Sequence, residues 1–285
     1  QFAIDLGRHS GCWTALKLVT EVAESSGTAD IGPDRHLRAD KLSAPPGDLH
    51  IRLGDDKLAA EARLLEVKLP AARTFARTQG IDRVALPADA PRLGIVTAGK
   101  AYHDVMQALS ALGVDRALAG RLGLTVYKVA MTWPLEPEGI TGFSRPLREL
   151  LIVEEKRPVV EPQVKEILFD RLRSSAPAVV GKFDAAGRRQ LPDGGELSVG
   201  DLSHVLANWL DPHLEVDDRA RIRDRLRPAA AERTGLATQA RTEYFCAGCP
   251  HNRSTRLPDG SIALAGIGCH TMASRIAGRN TVAPA

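Results

Sequence analysis

Cys246 and Cys249, in Tyr244-Phe-Cys246-Ala-Gly-Cys249-Pro-His251-Asn252, have the C-x2-C spacing that lets two thiolates on one tight turn reach a single metal centre. Cys269 follows a Gly266-Ile-Gly268 turn, immediately before His270 and Thr271, and can return a third thiolate. Two chemistries suit this set. A structural zinc would take Cys246, Cys249, Cys269 and either His251 or His270. A [4Fe-4S] cluster needs four thiolates, so its fourth ligand would be Cys12 or a cysteine beyond residue 285. Spacing alone favours zinc, and a thioredoxin-like redox pair fits poorly because no strand-to-helix pattern supports it.

The other groups in this region admit two readings each. Gly266 and Gly268 let the backbone turn tightly and present N–H groups to an anion, though a plain turn explains them equally well. His251 suits either orienting an anion or donating a hydrogen bond beside a metal turn. Elsewhere, Glu154 and Glu155 form a carboxylate pair at the end of an apolar run, and His103 has no evident partner.

The elements that must position these residues are legible in part. Trp13, Leu16, Val19 and Val22 fall on one face of a predicted helix over 13–26, and a second helical pattern over about 58–78 should break or kink at Pro70. Residues 28–56 are rich in Pro, Gly and charge, with an extended candidate only at 49–53. From residue 91 short apolar runs (93–98, 124–130, 150–154, 178–182) alternate with helical patterns (from about Val105, and 162–173). That alternation predicts an α/β fold with a parallel sheet covered on both faces over 91–183. Residues 184–240 read as a helical connector carrying helices at 199–210 and about 216–227. The mixed charges of 217–227 read as a solvated helix face rather than a phosphate patch. Residues 279–285 show no terminal helix or strand.

Composition narrows the function classes. With 26% charged and 44% hydrophobic residues the chain is ordinary for a globular protein, and its formal charge of +3 argues against a nucleic-acid partner. No run approaches the roughly 20 apolar residues of a membrane span. Four cysteines, three in metal-like spacing, suit a reducing cytoplasm. The start at Gln1 and the missing fourth thiolate read as an internal piece of a longer protein.

The wording around the cysteines goes further than their spacing. Tyr244 to Thr255, followed by Ala263-Leu-Ala-Gly266-Ile-Gly268-Cys269-His270-Thr271-Met-Ala273, resembles the start of the thiamine-diphosphate domain of 2-oxoacid:ferredoxin oxidoreductases, most closely the indolepyruvate branch. Residues 10–19, 126–137 and 151–156 resemble that family's upstream segments, the latter two its transketolase-C-terminal-like domain. The resemblance implies that Cys246, Cys249 and Cys269 ligate a [4Fe-4S] cluster, that Gly268, His270, Thr271 and His251 contact thiamine diphosphate, and that a later cysteine completes the cluster. It further implies Mg2+, a 2-oxoacid substrate, coenzyme A, ferredoxin and a homodimer. It makes Cys12, Glu154 and Glu155 structural. The domains would run 1–90 (tail of a pyrimidine-type domain), 91–183 (transketolase-C-terminal-like), 184–240 (connector) and 241–285 (start of the diphosphate domain). No Gly-Asp-Gly…Asn motif is present, so a piece of this extent should be inactive alone. The alternative expectation is a zinc-stabilised α/β binding module without catalysis.

Overall fold

The computed structural model describes residues 1–28, 49, 52, 54, 56–232 and 243–283, and the chain separates into two compact units, Gln1–Ala230 and Ala231–Ala285. In chain order the first unit contains α1 (Phe2–Ser10), α2 (Thr20–Ala23), α3 (Lys57–Arg63), α4 (Leu69–Thr78), β1 (Arg83–Leu86), β2 (Leu93–Ala98), α5 (Gly99–Ala111), α6 (Arg116–Leu122), β3 (Leu124–Val129), α7 (Pro137–Ser144), β4 (Glu149–Val153), α8 (Val160–Leu172), β5 (Ala178–Val180) and α9 (Val199–Leu210). Helix α10 (Val216–Glu232) comes next, reaching just past the unit boundary.

The strands form one sheet in the order β1-β3-β2-β4-β5. All neighbours are parallel except β1, which runs antiparallel against β3 with a bulge between Val84 and Leu86. Leu93 faces Leu124 on one side and Glu149 on the other, so β2 is the centre from which the connections diverge. The sheet is buried on both faces, which is why its inner strands are apolar throughout rather than alternating. On one face Ile95, Val126, Leu151 and Val153 pack with α5, α6, α9 and Ile222 of α10. On the other, Val96, Tyr127, Leu150 and Ile152 pack with Ile140 of α7 and Val164 and Leu168 of α8. The expected parallel α/β architecture is therefore present.

Several expectations need correction. The sheet begins before residue 91, because β1 supplies an edge strand from Arg83. Helix α9 is core rather than connector: Leu202, Leu206 and Leu210 are fully buried in the same apolar layer as α5, and burying such side chains is what fixes a helix in place. The helix expected over 13–26 shrinks to α2, and Trp13 and Leu16 stay 92% and 77% exposed. An apolar stripe makes a helix only when something covers it. Helix α1, unanticipated, is the element that docks, with Leu6 against Ala72 and Phe75 of α4, beside Cys12. Pro70 interrupts the regular helix, as expected. Lacking an N–H it cannot bond back to residue 66, and the turn before it, Leu64–Lys68, widens so that Leu69 N–H reaches the Leu64 carbonyl. The extended candidate at 49–53 lies largely outside the described residues, as do 233–240 of the connector and 241 and 242 of the last predicted domain.

Polar side chains at the carboxyl ends of the strands tie the chain to itself. Glu154, just past β4, accepts N–H bonds from Val159, Val160 and Glu161 at 2.8–2.9 Å and so caps α8. Glu155 accepts the Leu197 N–H at 3.0 Å. The Lys182 ammonium, 2% exposed, donates to the carbonyls of Glu154 (2.6 Å) and Pro192 (2.9 Å), and burial lowers its pKa. Lys100, in the first turn of α5, donates to the Leu197 carbonyl and to Asp104. Burial opposes its charge, but hydrogen bonds to Asp104 and Glu196 outweigh that and its pKa is raised. Residues 191–197, with Leu191 and Leu197 buried, thus form a strap across the end of the sheet where open α/β folds ordinarily admit ligands. Both glutamates of the carboxylate pair are engaged by backbone donors, the structural role the resemblance implied.

Candidate functional site

The second unit contains α11 (His251–Ser254), β6 (Ala263–Leu264) and β7 (Thr281–Val282). The last of these corrects the expectation of no strand near the end: Ala263 pairs with Thr281 and Leu264 with Val282, in parallel. Its two residues are too few for a sequence pattern to reveal.

The first cysteine pair sits on a built turn. Cys249 N–H donates to the Cys246 carbonyl at 3.0 Å, and Gly248 takes a φ of 78°, which glycine tolerates and other residues resist. Asn252 Nδ2 closes on the same Cys246 carbonyl at 3.1 Å, and Arg279 Nη1 donates to the Asn252 carbonyl at 3.2 Å. Neither Asn252 nor Arg279 carried a signal in the sequence, since both act on backbone. The second block is also a built turn. Gly266 N–H donates to His270 Nδ1 at 2.9 Å, Thr271 Oγ1 donates to the Gly266 carbonyl at 2.5 Å, and Cys269 opens a short 3-10 helix, Cys269–Arg275.

His251 joins the two blocks. Its ring stacks on Phe245 at 5.4 Å and faces His270 at 6.1 Å, and its Nδ1 lies 3.2 Å from Cys249 Sγ. Phe245, 7% exposed, is the member sequence reasoning missed. An aromatic beside a cysteine has no chemical spacing to advertise it. Because His270 Nδ1 accepts a hydrogen bond, the neutral ring carries its proton on Nε2 and presents a donor there.

The residues present fit the implied groups in kind. All four cysteines are free thiols; Cys246 and Cys269 are exposed and Cys249 is half-buried. In position they are less complete, for among the described residues no three Cys, His, Asp or Glu side chains converge as a metal site would require. The backbone at Gly268, with φ 95°, has no atom within 4 Å of where a Cβ would stand, so an anion can approach its peptide closely. Cys12 belongs to the first unit, packed beside Leu6 and Phe75. His103 is an exposed residue of α5, edge-on to Tyr102.

A family model described as the indolepyruvate oxidoreductase domain matches residues 83–232, more than half of the chain. The chain belongs to the indolepyruvate oxidoreductase family. The match opens on the first residue of β1 and closes on the last of α10, so the family domain coincides with the sheet and its two helical layers, α9 and α10 included. Among relatives, the chain is similar to the indolepyruvate oxidoreductase subunit IorA of Archaeoglobus fulgidus, 26% identical over 95% of this chain and 40% of that protein. The same subunit of Thermococcus kodakarensis is 28% identical over 64% of this chain and 26% of its own length, and that of Pyrococcus abyssi 39% identical over 30% and 12%. The chain thus spans two-fifths or less of these indolepyruvate oxidoreductases. A solved chain titled "Split gene transketolase, inactive beta4 tetramer" superposes with a TM-score of 0.30 at 17% identity, over 51% of this chain and 42% of its own, too loose a match to bear on the fold.

Proposed function

We propose that the chain is part of a thiamine-diphosphate-dependent, iron-sulfur oxidoreductase that converts a 2-oxoacid, of the indolepyruvate type, and coenzyme A to an acyl-CoA and carbon dioxide while reducing ferredoxin. The observation that carries the reading is family membership over 83–232, joined to two cysteine turns held together through His251. In this reading Cys246, Cys249 and Cys269 would hold a [4Fe-4S] cluster with a fourth cysteine from outside the chain, and Mg2+ would accompany the diphosphate.

The bound cofactors would supply a carbanion sink and a one-electron acceptor, which no side chain offers. The chain's own residues would orient and hold. Gly268 would offer its open peptide N–H to the diphosphate, His270 its Nε2 proton, and Thr271 would fix the Gly266 turn through its hydroxyl. His251 would keep the two cysteine turns in register, stacked between Phe245 and His270. The sheet unit would serve as a scaffold, since its carboxyl edge is occupied by its own strap. A cytoplasmic homodimer is the assembly proposed for the whole protein.

Anaerobic purification of the full-length protein with metal and sulfide analysis tests this. We expect iron and sulfide near four per site, by the ligand logic of a [4Fe-4S] centre, and loss of both in a Cys246→Ser, Cys249→Ser double variant. Stoichiometric zinc without iron would replace the reading with the zinc-stabilised module.

A further inference from the structure

At the opposite end of the sheet from the strap lies a groove of about 370 Å³ between β1, the α5–α6 turn and α10. Leu86, Met106 and Val114 contribute apolar lining, and Arg116 and Arg225 line it as well. The volume falls at the small end of the roughly 300–1,000 Å³ range of small-molecule sites. The arginines set it apart. On α10, Arg219 and Arg223 are paired with Asp211, and Arg221 with Asp218, which Arg121 also reaches. Arg225 has no carboxylate partner among the described residues, nor has Arg116. The one carboxylate in the lining, Asp115, accepts the Leu118 N–H through Oδ1 at 2.8 Å as the cap of α6.

Gly113 makes room for this arrangement. Its φ is 73°, and a Cβ there would stand 2.8 Å from Arg225 Nε, so the absent side chain is what lets the guanidinium lie in over the turn. Two guanidinium groups without a carboxylate partner among the described residues, beside apolar side chains, complement a ligand with an anionic end and an apolar body. A planar guanidinium fork matches a carboxylate in particular.

We propose that this groove binds a small amphipathic carboxylate, of the size of an aryl-substituted acetic acid, with its anion on Arg116 and Arg225 and its ring on Leu86, Met106 and Val114. The site is built from residues of the first unit alone and does not depend on the function proposed for the cysteine turns.

The test uses the intact protein and 4-fluorophenylacetate, monitored by ligand-observed fluorine NMR. Its uncharged amide and inorganic phosphate serve as comparison probes. The acid should bind saturably, the amide at least about tenfold more weakly, as loss of a charge-assisted bidentate pair implies, and phosphate at equal concentration should not displace the acid. In an Arg116→Gln, Arg225→Gln double variant acid binding should fall by at least about tenfold, whereas Arg223→Gln, already paired with Asp211, should leave it unchanged. Both arginines are exposed, so circular dichroism should show the double variant folded. Binding undiminished in the double variant, including binding at another site of the protein, would overturn the proposal, as would the absence of saturation or displacement by phosphate alone.

Discussion

Asp82 accepts N–H bonds from Ala130 (2.6 Å) and Met131 (3.1 Å) through Oδ1, while its buried Oδ2 has no hydrogen-bond partner among the described residues. Burial raises its pKa, the two N–H bonds oppose that, and the charge of Glu136 adds to it. The folded protein therefore holds this proton more tightly than the unfolded chain does. The stabilisation is complete below about pH 4, the ordinary carboxylate value, and is lost as pH rises through the raised value. Asp82→Asn keeps an acceptor and removes the ionisation. Urea titrations from about pH 4 to about pH 7 should show the variant gaining stability relative to wild type as pH rises, and a pH-independent difference would mean that folding leaves the Asp82 pKa unshifted. Nothing in the sequence marks Asp82, because its partners are backbone N–H groups 48 and 49 residues away. The cysteines, by contrast, were legible from residue type and spacing, and their joining through Phe245 and His251 was not.

At the scale of elements, a run of buried apolar residues was readable and a dependence on distant partners was not. β2 and α9 stand where their patterns placed them because their own side chains fill the core. α7 escaped notice since Pro137-Glu-Gly-Ile-Thr-Gly-Phe-Ser144 holds two glycines. It is held by Glu136, which accepts the N–H groups of Glu138 and Gly139 and pairs with Arg77, and by the fully buried Ile140. β1 escaped for a similar reason: it is a short edge strand whose pairing with β3 is settled by its partner. The strap over 191–197 rests on the same kind of contact. Replacing Lys182 by Met should leave the Glu154 and Pro192 carbonyls without their donor, at a cost of about 1–3 kcal/mol. Limited trypsin digestion should then cut faster at Arg188 and Arg189, on the exposed turn before the strap. An unchanged rate would show that the strap is held without the ammonium.

For the whole molecule, the three apolar clusters among the described residues lie within the first unit, and the family match ends at 232. In the described part of the second unit, the buried apolar side chains are Phe245, Ala265 and Ala273. A chain ending at Glu232 should thus unfold cooperatively, with a midpoint within a few degrees of that of the intact chain's main transition. Loss of cooperativity on removing 233–285 would show that the sheet unit depends on the second unit for its stability. The direction of β1 has a further consequence for how this protein can vary. Running against its neighbours, β1 brings the chain into the sheet from the carboxyl edge, where Asp82, Glu136 and Glu154 already accept backbone N–H groups and the strap is tied down by Lys182. Loops at that edge are where α/β proteins commonly acquire new specificities, and here they are spoken for. The turn at 112–115, at the amino edge, instead borders an open groove, so this domain has its room for novelty on the face its architecture ordinarily leaves unused.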